Sequence, residues 1–208
     1  MRERLIKKLS LLFSVYSPLY PVDAILLRIN RNPFSYGMGL AFALLLLLFI
    51  FGRGTVISVI ILLVGYIVLH HVWTYLLKQS RPYESLTVYP IHSWLRRRIE
   101  RLVWYRPLGH QIYEIHIDPS LTRRIDNPVQ AGLLVSHEAK QLTKWLKEHD
   151  TEVSVIGTTY VARLAETATV AAKRNLRTTV RRPGHCPIGS KILYPNKSWD
   201  TFVWEIGQ

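Results

Sequence analysis

Three stretches in the second half of the chain put small hydroxyls, cations or permissive backbone where a strand is expected to end. Asp118-Pro119-Ser120-Leu121-Thr122-Arg123-Arg124 follows the strand-like Gln111–Ile117. Gly157-Thr158-Thr159-Tyr160, with Arg163 one turn later, follows Glu152–Ile156. Arg181-Arg182 and then His185 follow Arg177–Val180. Hydroxyls, backbone N–H groups at helix starts and guanidinium groups are the chemistry of an oxyanion site, phosphate above all. Ligands of open α/β sheets bind beyond the carboxyl ends of the strands. Parallel neighbouring strands would therefore gather Ser120, Thr122, Arg123, Arg124, Gly157, Thr158, Thr159, Arg163, Arg181, Arg182 and His185 on one rim as a ligand-binding set.

Bond-making chemistry has less to stand on. The chain has no Walker A loop, G-x-S-x-G, H-E-x-x-H or G-x-G-x-x-G. His116, Asp118 and His185 are acid–base candidates for a phosphorylated substrate, and His185 adjoins Cys186. A nucleophile and its base must meet in space, which adjacency in sequence does not establish. One cysteine cannot form an internal disulfide or a multi-cysteine zinc site. The expectation is a protein that is not an enzyme, with no catalytic residue, metal or cofactor.

The elements that must position these residues alternate. Asn127 and Pro128 open a helix running to His149, the first as a cap and the second as a first-turn proline. A second helix covers Val161–Asn175. Lys191–Tyr194 and Thr201–Ile206 read as two strands around the turn Pro195–Asp200. Strands alternating with helices favour right-handed βαβ crossovers. Residues 107–208 are thus expected to form a small cytosolic α/β, Rossmann-like domain with a C-terminal β-hairpin.

The first half has a different character. Phe34–Phe51 is 18 residues without a charge and Thr55–Leu77 is 23. As helices they would span about 27 and 34 Å, against a hydrocarbon core of about 30 Å. Only Gly52-Arg53-Gly54 separates them, so residues 34–77 read as an α-helical transmembrane hairpin. Residues 1–33 read as two short amphipathic helices at the membrane interface, broken by Pro18 and Pro21. Residues 78–106 read as a basic juxtamembrane linker. Its helix, Ile91–Trp104, carries Arg96, Arg97, Arg98 and Arg101, cations suited to acidic lipid headgroups. Within the hairpin, Arg53, His70 and His71 are the pore or membrane-function candidates, since ionisable groups there are costly.

Charge sets the orientation. Residues 1–106 hold 14 Lys and Arg against 4 Asp and Glu, whereas residues 107–208 hold 13 against 10. Most of the net +13 therefore flanks the apolar stretches, and both termini are expected to be cytoplasmic. Nucleic acid is accordingly not an expected partner. Nearly half the residues are hydrophobic, which excludes a basic disordered tail.

A short membrane hairpin joined to a cytosolic domain with Asp118-x-Ser120 and Gly157-Thr158-Thr159 loops resembles, in architecture, the two-transmembrane effectors of bacterial antiphage systems. These carry a cytosolic cyclic-oligonucleotide sensor, CARF-like in the type III CRISPR systems or of the CBASS type, and the resemblance implies a place in the bacterial inner (cytoplasmic) membrane. The resemblance implies an anionic nucleotide ligand such as cyclic oligoadenylate, a homo-oligomer, and ligand-gated membrane disruption or pore formation in antiviral defence. One hairpin leaves no conduit, so a pore would need several copies. Two other functions fit the same residues: a structural subunit of a bacterial secretion or conjugation complex, and a membrane-bound enzyme on a phosphorylated substrate.

Overall fold

A computed structural model of the chain describes residues 1–31, 33–80, 83–103, 108–117, 125, 127–149 and 152–207. Four helices come first: α1 (Arg2–Phe13), α2 (Tyr20–Arg31), α3 (Pro33–Phe51) and α4 (Arg53–Gln79). Gly52 joins α3 to α4, and the two touch. Phe42, Phe49, Ile61 and Leu62 stand exposed on this pair, an apolar surface of the kind that soluble monomers avoid. Among the described residues one helix, α4, is long and apolar enough to cross a membrane by length and composition. Gly37–Phe51 of α3 is apolar but shorter.

One side of the far half of α4 packs against α1, with Trp73 buried. The Phe13 ring lies 5.2 Å from Tyr66, 5.3 Å from His70 and 5.9 Å from Trp73, centroid to centroid. At the other end of α1, Arg2 donates to the backbone and side chain of Gln79. The two helices therefore run antiparallel.

Five strands form one mixed sheet: β1 (Leu86–Pro90), β2 (Gln111–Ile117), β3 (Glu152–Thr159), β4 (Thr178–Pro183) and β5 (Asp200–Gly207). The order is β1-β2-β3-β5-β4. Among the described residues only β2 and β3 pair in parallel, and the other pairings are antiparallel. Among the described residues the remaining α-helices are α5 (Arg96–Leu102), α6 (Pro128–His149), α7 (Ala162–Ala172) and α8 (Ile188–Leu193). The mixed α/β class and a strand over 111–117 agree with the sequence reading, and the strand expected over Glu152–Ile156 forms but runs on to Thr159.

Three features differ. Leu86–Pro90 is an additional edge strand, where Pro90 costs no ladder bond. Lys191–Tyr194 is not a strand, because Ile188–Leu193 is helical and lies against α2. A Cβ on Gly189 would sit 2.2 Å from Tyr20 Cδ1, so this approach requires glycine. The C-terminal antiparallel pair consequently forms between β4 and β5, with α8 in the connection, rather than around 195–200.

Strand alternation sorts the sheet into two cores. Tyr113, Ile115, Val153, Val155, Phe202 and Trp204 face α6 and α7, where Val135, Ala139, Leu146 and Ala168 are buried. Trp204 is fully buried and donates its indole N–H to Thr169 Oγ1 at 2.9 Å. On the other face Ile112, Ile156 and Val203 meet Tyr16, Tyr20, Ala24, Leu95 and Ile99. Two short helices form early in the chain as read, Arg2–Phe13 and Tyr20–Arg31, yet each buries a side in protein. The expected linker helix is a 3₁₀ turn, Ser93–Leu95, followed by α5, with Leu95, Ile99 and Val103 turned inward.

A buried carboxylate fixes the new edge strand. Glu138 of α6 accepts from Glu84 N–H at 2.6 Å, Ser85 N–H at 2.9 Å and Leu86 N–H at 3.0 Å, and from the Ser85 hydroxyl. Four donors on one anion hold residues 84–86 in place to begin β1.

Candidate functional site

β2 and β3 run the same way, and β4 also does because two antiparallel steps through β5 restore the direction. Their carboxyl ends therefore share one rim, although β5 stands between β3 and β4. In register, Thr158 faces Thr201, Thr159 faces Asp200, Arg182 faces Thr201 and Pro183 faces Asp200.

Most of the expected ligand residues on this rim are engaged within the protein. Arg181 holds Asp200 Oδ2 through Nε at 2.9 Å and Nη2 at 2.6 Å, and Nη1 donates to Glu166. These carboxylates, Asp200 foremost, raise the Arg181 pKa. Arg182 donates to the Leu102 carbonyl. Gly157 and Thr158 lie inside β3, not in a loop. A Cβ on Gly157 would be 2.2 Å from Phe202 Cζ, so the glycine serves packing. The buried Thr158 hydroxyl is 2.7 Å from the Tyr16 hydroxyl and 3.3 Å from that of Thr201. Thr159 Oγ1 accepts from Val161 N–H at 2.9 Å, turning the chain into α7. Arg163 is exposed on α7. Ser120, Thr122, Arg123 and Arg124 lie outside the described residues, as does Asp118.

His185, whose carbonyl accepts from the Thr201 hydroxyl at 2.8 Å, lines a different groove, with Arg97, Arg98 and Arg101. Burial, then Arg182 and Lys191, lowers its pKa from the ordinary 6.5. Arg53 opens α4 at the exposed end of the helix pair. His70 Nδ1 lies 2.8 Å from Asp23 Oδ1 of α2, off-line for a hydrogen bond. His71 donates from Nδ1 to the Ile67 carbonyl at 2.8 Å.

The rim does carry a crevice, with walls that the sequence reading missed. A cavity of about 370 Å³ opens beyond the carboxyl ends of β2 and β3. His116, Thr158 and Thr159 line its floor, while Tyr20 and Leu27 of α2 form one side. Tyr160, Tyr194 and Trp199 form the other, with ring centroids 5.0, 5.3 and 6.0 Å apart. Lys197 Nζ stands 5.9 Å from the Tyr160 ring centre. The sequence reading puts Tyr160 in the loop after Glu152–Ile156, Tyr194 at the end of a strand and Trp199 in the turn Pro195–Asp200, so the three rings are not read as one wall.

The chain matches no protein-family model, and no curated protein or solved structure matches it. The crevice must therefore be interpreted from its own chemistry.

Beneath the floor lies a polar cluster centred on Glu114, which is fully buried. Its carboxylate accepts from the Ser14 hydroxyl at 2.5 Å and from Val15 N–H at 3.2 Å. His116 Nε2 is 2.5 Å from the same group and 3.1 Å from the Tyr89 hydroxyl. Burial, with Glu114 next in weight, pushes the Tyr16 and Tyr89 phenols well above their usual range. These phenols act as neutral hydrogen-bonding groups. The cluster pins the turn between α1 and α2 onto β2. Among the described residues no three His, Cys, Asp or Glu side chains converge on a metal position. The arrangement suits a planar ligand held between rings and steadied by hydroxyls and a cation.

Proposed function

We propose that the chain is a membrane effector whose cytosolic sheet domain binds an anionic nucleotide, a cyclic oligonucleotide in the first instance, in the crevice above β2 and β3. In this reading α3 and α4 form the membrane hairpin, both termini are cytoplasmic, and several copies assemble to open or disrupt the membrane. A single observation carries it: α2 lines the crevice through Tyr20 and Leu27, continues toward α3, and reaches His70 of α4 through Asp23. A ligand entering the crevice meets the same helix that meets the apolar pair. The aromatic wall suits a base, because base–aromatic stacking contributes about 1–3 kcal/mol per base.

The test is thermal unfolding of the full-length protein in nanodiscs with cyclic oligoadenylates, cyclic dinucleotides, ATP and inorganic phosphate. A binder of the native state raises the midpoint as its concentration passes Kd. Tyr160→Ala should weaken binding roughly 5- to 150-fold, the equivalent of one lost stack. Cells expressing the wild type should depolarise when the ligand is supplied. No shift with any of these anions at saturation would end the nucleotide reading.

The internal engagement of Arg181, Arg182 and Thr158 favours a second reading, a structural subunit of a secretion or conjugation complex. That reading expects no ligand-dependent shift, and co-purification with other subunits.

A further inference from the structure

The outer side of α2 and the groove beside α5, which Pro18 just before α2 borders, together present an exposed apolar and cationic surface. We propose that this surface docks on the anionic phospholipid headgroups of the leaflet that α3 and α4 enter. The inference rests on the reading of α3 and α4 as a membrane hairpin.

Val22, Ile25, Leu26 and Ile29 recur at the i, i+3, i+4, i+7 spacing of one helix face. Val22 is 43% and Ile25 48% exposed, and Leu26 and Ile29 are half-buried. The opposite side, with Tyr20, Asp23 and Ala24, is buried against the rest of the domain. Helix α2 is thus apolar on two sides, and the protein covers only one.

The depth of α2 follows from its two ends. Near its start, Asp23 touches His70 of α4. Its far end passes through one residue into α3, whose 19 residues run about 28 Å back from Gly52. The same length measured along α4 from Arg53 ends at about residue 71. Both ends of α2 are level with one turn of α4, so α2 crosses the pair at the inner limit of its apolar length. That is where a helix with a free apolar stripe meets headgroups.

Pro18, just before α2, borders a groove of about 590 Å³ that Trp94, Arg97, Arg98, Arg101 and Ile188 also line. Trp94 is 67% and Ile188 66% exposed. No acidic side chain lines the groove among the described residues. Indole and guanidinium are the side-chain pairing of the membrane interface, the ring at headgroup level and the cation on phosphate. Nucleic acid would explain the arginines but not the exposed valine and isoleucines.

The test uses the full-length chain carrying Cys186→Ser and one environment-sensitive label, at Ile25→Cys, Ser93→Cys or Leu62→Cys. It is reconstituted in vesicles of phosphatidylcholine alone or mixed with phosphatidylglycerol, with a lipid-borne quencher near the headgroups or in the chains. The label at 62 should be quenched from the chains in both vesicles, reporting the hairpin. The label at 25 should be blue-shifted and quenched from the headgroup region. The label at 93 should be quenched by phosphatidylglycerol vesicles and much less by neutral ones. Each arginine contributes roughly fivefold to attraction by an anionic surface, so Arg97→Gln/Arg98→Gln/Arg101→Gln should abolish that difference.

Quenching at 62 with water-like emission at 25 and 93 would overturn the docking surface while leaving the hairpin intact. Water-like emission at all three would overturn both. Equal quenching at 93 in neutral and anionic vesicles would overturn the role of charge. A response at 93 to an oligonucleotide but not to phosphatidylglycerol would overturn the lipid in favour of nucleic acid.

Discussion

Replacing Glu138 with alanine should unfold the domain at markedly lower temperature. The carboxylate is buried and receives three backbone N–H groups and one hydroxyl from residues 84–86. Ser85 and Leu86 are themselves buried, so their amides find no water when the acceptor goes. A buried donor left unpaired costs about 1–3 kcal/mol, and the lost charge-assisted bonds fall in the same range. Two stranded amides and partial relief at Glu84 place the loss at about 3–5 kcal/mol, comparable to breaking a buried ion pair. For a chain of this size that lowers Tm by on the order of 10 °C. Glu138→Gln keeps the volume and one acceptor oxygen, enough for Ser85 and Leu86. Its cost should be about 1–2 kcal/mol. The assay is near-UV circular dichroism in detergent, where Trp204 at the core reports packing. Hydrogen exchange at the Ser85 and Leu86 amides shows whether β1 frays first. A Tm within about 3 °C of wild type for the alanine variant would refute the claim that this carboxylate secures the edge strand.

Two further expectations concern pH and packing. Because folding lowers the His185 pKa, the unfolded chain takes up its proton first. Stability should fall as pH drops below 6.5 and level off under the folded-state value. His185→Gln should flatten that slope in a series of melts, and an unchanged slope would remove His185 as its source. Gly189→Ala forces a methyl group into the Tyr20 ring and should cost about 1–3 kcal/mol by overpacking, read as a lower Tm. A neutral substitution would show that α2 and α8 have room to move apart.

Particular residues show what the sequence could reveal. Pro128 and the apolar spacing of the following residues mark α6 at the bounds observed, Pro128–His149, because a long amphipathic period and a first-turn proline are local properties. Gln111–Ile117 is likewise visible as a run of β-formers. Leu86–Pro90 escaped because five residues ending in proline carry little periodicity, and what holds them is Glu138, about 50 positions away. Ile188–Leu193 has a strand-like apolar close, and its helical state depends on contact with Tyr20. The rim illustrates the same division. The common direction of β2, β3 and β4 follows the reading, whereas the capture of Arg181 by Asp200 depends on β5 lying beside β4. A strand inserted from the end of the described chain has no signature at position 181. The aromatic wall joins Tyr160 to Tyr194 and Trp199 by the same route.

The position of β5 within the sheet also sets an order of assembly. It fills the gap between β3 and β4, yet it is made about 120 residues after α4 ends. At about 5–20 residues per second, synthesis leaves roughly 6–24 s in which the apolar pair exists and nothing joins β3 to β4. Until Asp200–Gly207 arrives, β3 shows an open edge, β4 has no neighbour, and Arg181 lacks one of its anions. Trp199, one residue before β5, is delivered in the same step. A nascent chain thus holds its apolar helices for many seconds before Trp199 arrives to complete the aromatic wall of the crevice.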